Sequence, residues 1–577
     1  MLETIYVRLR LVLLAFGALA LVVMVQLLRV DFGSSNVTYF HKLSDEITQR
    51  TDTFAPARGR IYDRWGELLA TNDVEYELGI DPPYVLVPKD LETTLNTVAG
   101  IPTLEVEAAM KSTAPYVLLK RPISAAVGDK LKELLANGPV NLGGIDLHPI
   151  PHRIYPGGTL ASQVLGFVAY NNDGQQLGYF GVEGFYNDLL AGRAVQSVQQ
   201  MVPFDAALNP VPDQGADLYL TLDRNIQFLT EATLADGIKQ YGASGGTIIV
   251  MNPRNGEILG MASSPTFDPN NYVSDPPPNP ANPAVSGQYE PGSTFKVLTM
   301  AGALDAGTVT PQTPFVDTGS VEVGGIIINN WNGGAWGPVD MLGCMQHSLN
   351  VCLASLATWM GPKTFYNYMQ AFGIGHLTNV DLSAETPGRL KLPGASDWFD
   401  SDLGTNSFGQ GVAVSPLQLI AAASAIANGG TMMQPHILKI VQHGASQHVT
   451  QQQVLGRPIK PATAATENEM LAESLERGEG SQALVDGYRV SGKTGTAQIP
   501  IPTGYDDQAT IASFIGWGPV DDPQFIVLIK LDKPTASIWG SETAAPLFKQ
   551  LVTRLVVLMQ IPPDTVRHAL QTGTAGN

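Results

Sequence analysis

Glu290-Pro291-Gly292-Ser293-Thr294-Phe295-Lys296 is the stretch on which the reading of this chain turns. Pro-Gly ahead of an apolar run marks a helix start, and the helix should run from about Ser293 to Ala306, where Gly307 can end it. Ser293 and Lys296 then share one helical face, so a hydroxyl nucleophile stands beside an amine. Taken alone, the tetrad reads as a serine cap next to an exposed lysine. Two features argue for chemistry instead. Lys296 lies between Phe295 and Val297, and an amine in apolar surroundings gives up its charge and can act as a base. The helix start also offers backbone N–H groups and a positive dipole end to a developing oxyanion. No other Ser-x-x-Lys occurs in the chain.

Two later motifs bear on the same chemistry. Ser348-Leu349-Asn350 is weak by itself, because Ser34-Ser35-Asn36 repeats its pattern. Lys493-Thr494-Gly495-Thr496-Ala497 is more specific. It follows Tyr488-Arg489-Val490-Ser491-Gly492 and should occupy a strand edge, where Gly495 would let a substrate backbone approach. Its plain alternative is a strand and turn carrying a solvated lysine.

A Ser-x-x-Lys, then Ser-x-Asn, then Lys-Thr-Gly resembles the signature of the penicillin-binding proteins and serine β-lactamases, which act on D-alanyl-D-alanine through an acyl-enzyme. Tyr289 to Lys296, Phe408-Gly409-Gln410-Gly411-Val412 with Pro416-Leu417-Gln418-Leu419, and Ser491 to Gln498 resemble the transpeptidase domain of class B penicillin-binding proteins. Arg58 to Ala70 and Gly178 to Gly184 are similar to the pedestal module of that class. The resemblance implies an α+β protein with a single amino-terminal transmembrane helix, an elongated α+β pedestal, and a transpeptidase domain whose antiparallel sheet is packed between helices. It implies peptidoglycan D,D-transpeptidation and inhibition by β-lactams. Ser293 would form the acyl-enzyme, Lys296 act as its base and Ser348 relay a proton. Asn350 would bind the donor peptide or Lys296, and a charged Lys493 would support Ser348. Thr494, Gly495 and Thr496 would bind substrate, with the Ser293 and Thr496 N–H groups as oxyanion hole. Hydrolysis by a carboxypeptidase or β-lactamase, and a non-catalytic activator of a glycan polymerase, are the competing readings.

Composition agrees with a folded, multidomain chain. At 577 residues, 44% hydrophobic and 15% charged, it is too long for one ordinary core. A net charge of −19 argues against nucleic acid as a partner through a generally basic surface. The nine histidines form no ligand spacing, and neither a metal nor an organic cofactor is expected.

Leu11 to Leu28 is long and apolar enough for a membrane anchor, and Gln26-Leu27-Leu28-Arg29 makes a poor signal-peptide cleavage site. Arg8 and Arg10 favour a cytoplasmic amino terminus, with Arg29 weakening the asymmetry. The expected order is a cytoplasmic tail over 1–10, the anchor over 11–30, linker and pedestal over 31–222, the transpeptidase domain over 223–561 and a flexible tail over 562–577. The catalytic domain would lie outside the cytoplasmic membrane. Pedestal-like sequence fills the interval in which class A relatives carry a glycosyltransferase. The glycan strands bearing the stem peptides would then come from another protein, and the resemblance implies a polytopic polymerase of the shape, elongation, division and sporulation type, met through the transmembrane helix and pedestal. Cys344 and Cys352 would stand about 12 Å apart on a continuous helix, so a disulfide needs a bend between them; two small buried apolar residues are expected instead.

Overall fold

The computed structural model describes residues 2–32, 49–54, 56–171, 176–193, 195–200, 214–273, 281–502 and 504–571. Most of the first part of the linker expected from residue 31, and the end of the expected tail, lie outside them.

The chain divides into two units, one of Met1–Pro56 with Gly192–Gln214 and one of Ala57–Ala191 with Gly215–Asn577. In the first, a helix spans Leu2–Phe32. Its segment Arg10–Leu27 has a mean hydropathy of 2.3 and is not buried against protein, and at 1.5 Å per residue it reaches about 27 Å, close to the hydrocarbon thickness of a bilayer. Strands Gln49–Phe54 and Val195–Gln200 pair antiparallel in the same unit.

The second unit is built on two sheets. The stretch from Arg58 to Ala70 forms a strand, β1 (Ile61–Tyr62), a turn, and the start of a second strand, β2 (Leu68–Ile80). Asp63 shapes the turn: its Oδ1 accepts from the N–H groups of Trp65 and Glu67, and its Oδ2 from that of Arg224. β3 (Val117–Ile123) and β4 (Ile145–Ile154) both pair with β2. β5 (Asp217–Leu220) lies parallel to β1 and feeds α1 (Arg224–Tyr241), which Asp223 caps through the N–H groups of Asn225 and Ile226.

β6 (Gly245–Met251) and β7 (Ile258–Ser264) form the hairpin marked by Asn255-Gly256. The helix expected from Ser293 begins as a 3-10 turn over Gly292–Phe295 and continues as α2 (Lys296–Asp305). Two helices follow across a break, α3 (Met341–Gln346) and α4 (Asn350–Ala371). α5 (Pro416–Ala427) is buried along its whole length, as a helix apolar on every side must be. β8 (Leu438–His443) pairs with β5 and so ties a late segment into the sheet of β1 and β2. After α6 (Pro461–Arg477) come β10 (Ser491–Ile501), β11 (Gly504–Gly518), β12 (Phe525–Asp532) and α7 (Ala544–Leu558), with β9 (Ser446–Val449) preceding them beside β8.

Strand order in the catalytic-half sheet is β7-β6-β12-β11-β10, antiparallel throughout. Strand alternation explains its two helical layers. Ile248, Val250, Val527 and Ile529 point into a core shared with α1 and α7. Their neighbours Ile249, Met251, Ile526 and Leu528 point into the larger core of α2, α4 and α5. Beyond Pro562 the structure differs from the expected flexible tail: α8 spans Asp564–Gln571. Arg567, buried there, pairs with Asp521 and Asp564 at 2.5 and 2.7 Å, which ties the segment down.

One buried ionic cluster joins the motif at Arg58 to that at Gly178. Glu183, inaccessible to solvent, accepts from Arg58 Nε at 2.6 Å and Arg153 Nε at 2.7 Å. Arg58 Nη2 also donates to the Glu183 carbonyl, and Arg153 Nη1 to that of Gly59. Glu183→Gln keeps the shape but leaves two buried guanidinium groups without a counter-charge. It should cost on the order of 3–5 kcal/mol, read as a lower thermal unfolding midpoint.

Candidate active site

The 3-10 turn puts Ser293 at the mouth of a cleft, with Gly292 at φ +56° just before it. A Cβ on Gly292 would lie 3.0 Å from that of Ala497 and 3.1 Å from the Thr496 carbonyl oxygen. Absence of that side chain lets β10 run beside the turn, so Ser293, Thr494 and Thr496 line one cleft. From the other side the Gly292 N–H donates to the Gly409 carbonyl at 3.1 Å, which brings Phe408 and Gln410 to the cleft wall.

Lys296, one turn along, has no solvent exposure. Its Nζ reaches the Ser348 carbonyl at 2.6 Å, Asn350 Oδ1 at 2.8 Å and Ser348 Oγ at 3.2 Å. Burial pushes its pKa well below the usual lysine range, the positive charge of Lys493 adds to this, and Glu479 opposes it. The amine donates to each of these partners, its N–H groups serving the Ser348 carbonyl, the Asn350 amide oxygen and the Ser348 hydroxyl oxygen. The first two motifs of the sequence thus meet at one nitrogen.

They meet because the chain reverses between α3 and α4. Ser348 there adopts φ +51°, a left-handed conformation that costs a non-glycine residue about 1–3 kcal/mol. The bend also corrects the expectation for the cysteines. Cys344 and Cys352 are fully buried, as expected, yet their Cα atoms are 6.0 Å apart and they form a disulfide. The separation of about 12 Å holds only for an unbroken helix, and the bend that bonding requires is the one that presents Ser348 and Asn350.

Lys493 is 4% exposed on β10, the edge strand of its sheet. Burial lowers its pKa to about 8, Glu479 opposing the fall. Most of it is therefore charged at neutral pH. Its Nζ donates to Thr494 Oγ1 at 3.3 Å and the Thr494 carbonyl at 3.4 Å, whereas the hydrogen bond to Ser348 is made by Lys296. Gly495 also differs from expectation. A Cβ there would meet Ser513 Oγ at 2.4 Å and the Thr294 methyl at 2.8 Å, so this glycine admits the protein's own helix start and neighbouring strand rather than a substrate.

Four cleft residues escaped the sequence reading: Trp331, Trp539, Ser541 and Glu479. The two tryptophans stack edge to face, 5.2 Å between ring centroids. They come from loops far apart in sequence, and no spacing rule connects them. Among the described residues no cluster of histidine, cysteine or carboxylate side chains could hold a metal ion.

Comparison with known proteins agrees with this geometry. A family model for the penicillin-binding protein transpeptidase domain matches residues 246–553, and one for the penicillin-binding protein dimerisation domain matches 53–213. Stage V sporulation protein D of Bacillus subtilis is 34% identical, over 88% of this chain and 79% of the relative. The probable peptidoglycan D,D-transpeptidase PenA of Neisseria meningitidis is 29% identical over 91% of this chain and 89% of its own. Among solved structures, penicillin-binding protein 3 of Mycobacterium tuberculosis in complex with aztreonam superimposes with a TM-score of 0.69 at 25% identity, covering 89% of this chain and 98% of that one.

The disulfide closes a short loop around the Ser348 turn, a constraint worth about 2–3 kcal/mol in the chain-entropy account. Cys344→Ala with Cys352→Ala should lower the denaturation midpoint accordingly. It should also slow reaction of Ser293 with a fluorescent penicillin severalfold; an unchanged rate would show that the turn holds its shape unaided.

Proposed function

We propose, starting from a chain that belongs to the class B penicillin-binding proteins and is a serine-type peptidoglycan D,D-transpeptidase, that Ser293 carries the acyl group and that Lys296, Ser348, Asn350 and Lys493 operate it. The observation that carries this assignment is the convergence of Ser348 and Asn350 on the buried Lys296 amine.

Ser293 Oγ attacks the carbonyl carbon of the penultimate D-alanine of a donor stem peptide, and its proton passes to the neutral Lys296 amine. Charge on the tetrahedral oxygen is met by the Ser293 and Thr496 N–H groups. As the peptide C–N bond breaks, Ser348 Oγ hands its proton to the leaving nitrogen and takes one back from the Lys296 ammonium 3.2 Å away, so that D-alanine departs and Lys296 is again the free amine. An amine of a neighbouring stem peptide then attacks the ester, forms the cross-link and returns the Ser293 hydroxyl. Asn350 Oδ1 fixes Lys296 at 2.8 Å. The Lys493 ammonium and the Thr494 and Thr496 hydroxyls recognise the donor carboxylate. A β-lactam would enter by the same attack and remain as a stable ester. No step calls for a metal or organic cofactor.

The amino-terminal helix is long and apolar enough to span a membrane once. Arg8 and Arg10 ahead of it support a cytoplasmic amino terminus and an extracytoplasmic catalytic domain. The partner that supplies glycan strands is in this reading a polytopic polymerase of the shape, elongation, division and sporulation type, held through the helix and pedestal. Co-purification in mild detergent tests it, and a solitary protein would count against it.

Ser293→Ala should abolish both fluorescent-penicillin labelling and cross-linking; retention of both would leave a scaffold role. Penicilloyl-enzyme from the intact protein should persist far beyond seconds, whereas release within seconds would favour a hydrolase. The acylation rate should rise with pH as Lys296 loses its proton and fall above about pH 8 as Lys493 loses its own.

A further inference from the structure

Among the described residues, Glu479 is the one carboxylate on the wall of the candidate catalytic cleft, which Ser293, Ser348, Asn350 and Thr494 also line. It follows α6 on a segment placed between the Ser348 turn and β10. Gln346 Nε2, at the end of α3, donates to the Arg477 carbonyl at 3.1 Å. A Cβ on Gly478 would lie 2.7 Å from the Gln346 carbonyl oxygen, and one on Gly480 3.5 Å from the Thr494 methyl and 2.4 Å from Leu475 Cδ1. The flanking glycines thus let the segment thread between the two motifs, with Glu479 facing the cleft.

This carboxylate is half-buried and, among the described residues, has neither a hydrogen bond nor a close ion pair of its own. Its electrostatic partners are Lys493 and Lys296, in that order. Of the other charged or titratable groups on the packed elements, Glu467 on α6 is fully buried with no hydrogen-bond partner among the described residues, and burial raises its pKa so that it is held toward the neutral acid. Arg477 pairs with Glu473 at 3.1 Å, Glu476 with Arg489 at 2.7 Å, and His347, whose pKa burial lowers, stacks on Trp336 at 3.7 Å.

Resting on the acyl-transfer roles given above to Lys296 and Lys493, we propose that Glu479 is a positioning residue. It is the shared counter-charge of the two lysines, keeping Lys493 charged while the attraction it also exerts on Lys296 sets how far up the pH scale that amine becomes free. Lys493 needs the nearby anion because its ammonium is buried without a carboxylate partner in contact. Once Lys493 is charged, its field keeps the proton off Lys296. A carboxylate too close to Lys296 would protonate the base; one too far from Lys493 would lose the donor carboxylate site. Glu479 acts through the lysines and touches no reacting atom.

The test is the pH dependence of the second-order acylation rate of the detergent-solubilised full chain with a fluorescent penicillin. In Glu479→Gln both lysines lose an attractive charge, so both limbs of the profile should move toward acid. The rate at pH 8 relative to that at pH 6.5 should fall about 3- to 10-fold, the effect of half to one pKa unit. Glu479→Asp should retain limbs near the wild-type positions, and Glu479→Ser should repeat the acid shift with a different side-chain shape. Profiles of Glu479→Gln and Glu479→Ser that coincide with wild type, or fall equally at every pH, would overturn the proposal. A wild-type profile with no alkaline limb would instead overturn the role given to Lys493, and the two failures are therefore separable.

Discussion

A lysine amine with no access to water governs the architecture of the catalytic half. Lys296 can be buried only if its hydrogen-bonding capacity is met, because an unpaired polar group in the interior is expensive. The partners cannot come from α2, whose own backbone is committed to helix. They come from a second helix pair that must stop, reverse and restart so that one serine offers its carbonyl and hydroxyl and an asparagine its amide oxygen. The left-handed Ser348 and the disulfide beneath it are consequences of that demand. The same burial depresses the amine's proton affinity, so the property that makes Lys296 a structural burden also fits the part of base proposed for it.

The second lysine is treated differently. Lys493 lies on an edge strand, donates only to Thr494, and remains mostly charged at neutral pH. Two buried lysines thus differ because Lys296 has no exposure at all and also feels the positive charge of Lys493, whereas at Lys493 Glu479 offsets part of the cost of burial. Environment, rather than residue type, divides the acid–base work.

Much of this was legible in the sequence. Hairpins at Asn255-Gly256 and Asp521-Asp522-Pro523, the helix at Ser293 and the strand at Lys493 all follow from local pattern. What escaped depends on contacts between distant segments. The disulfide is hidden because spacing alone cannot reveal a reversed chain, although the need for a bend was plain. Gly495 was read as room for substrate, whereas the space is taken by Thr294 and Ser513, which no linear reading places nearby. The segment after Pro562 looks polar, yet Arg567 finds Asp521 across a hairpin. Glu479 sits between glycines with no motif around it, and only the meeting of α3, α6 and β10 gives it a role.

The sheet that contains β1 has an implication for how the molecule is made. β1 and β2 lie early in the chain, β5 comes well after them, and β8 lies beyond Ser293. Since synthesis runs from the amino terminus, the outer edge of β1 stays open until β5 emerges, and β5 itself lacks its other neighbour until β8 follows. An open edge is a template for mispairing, and pairings this distant in sequence form slowly. A newly made chain therefore passes through a period in which its early half is folded but not closed, and a chain broken off before β8 would carry that exposed edge permanently.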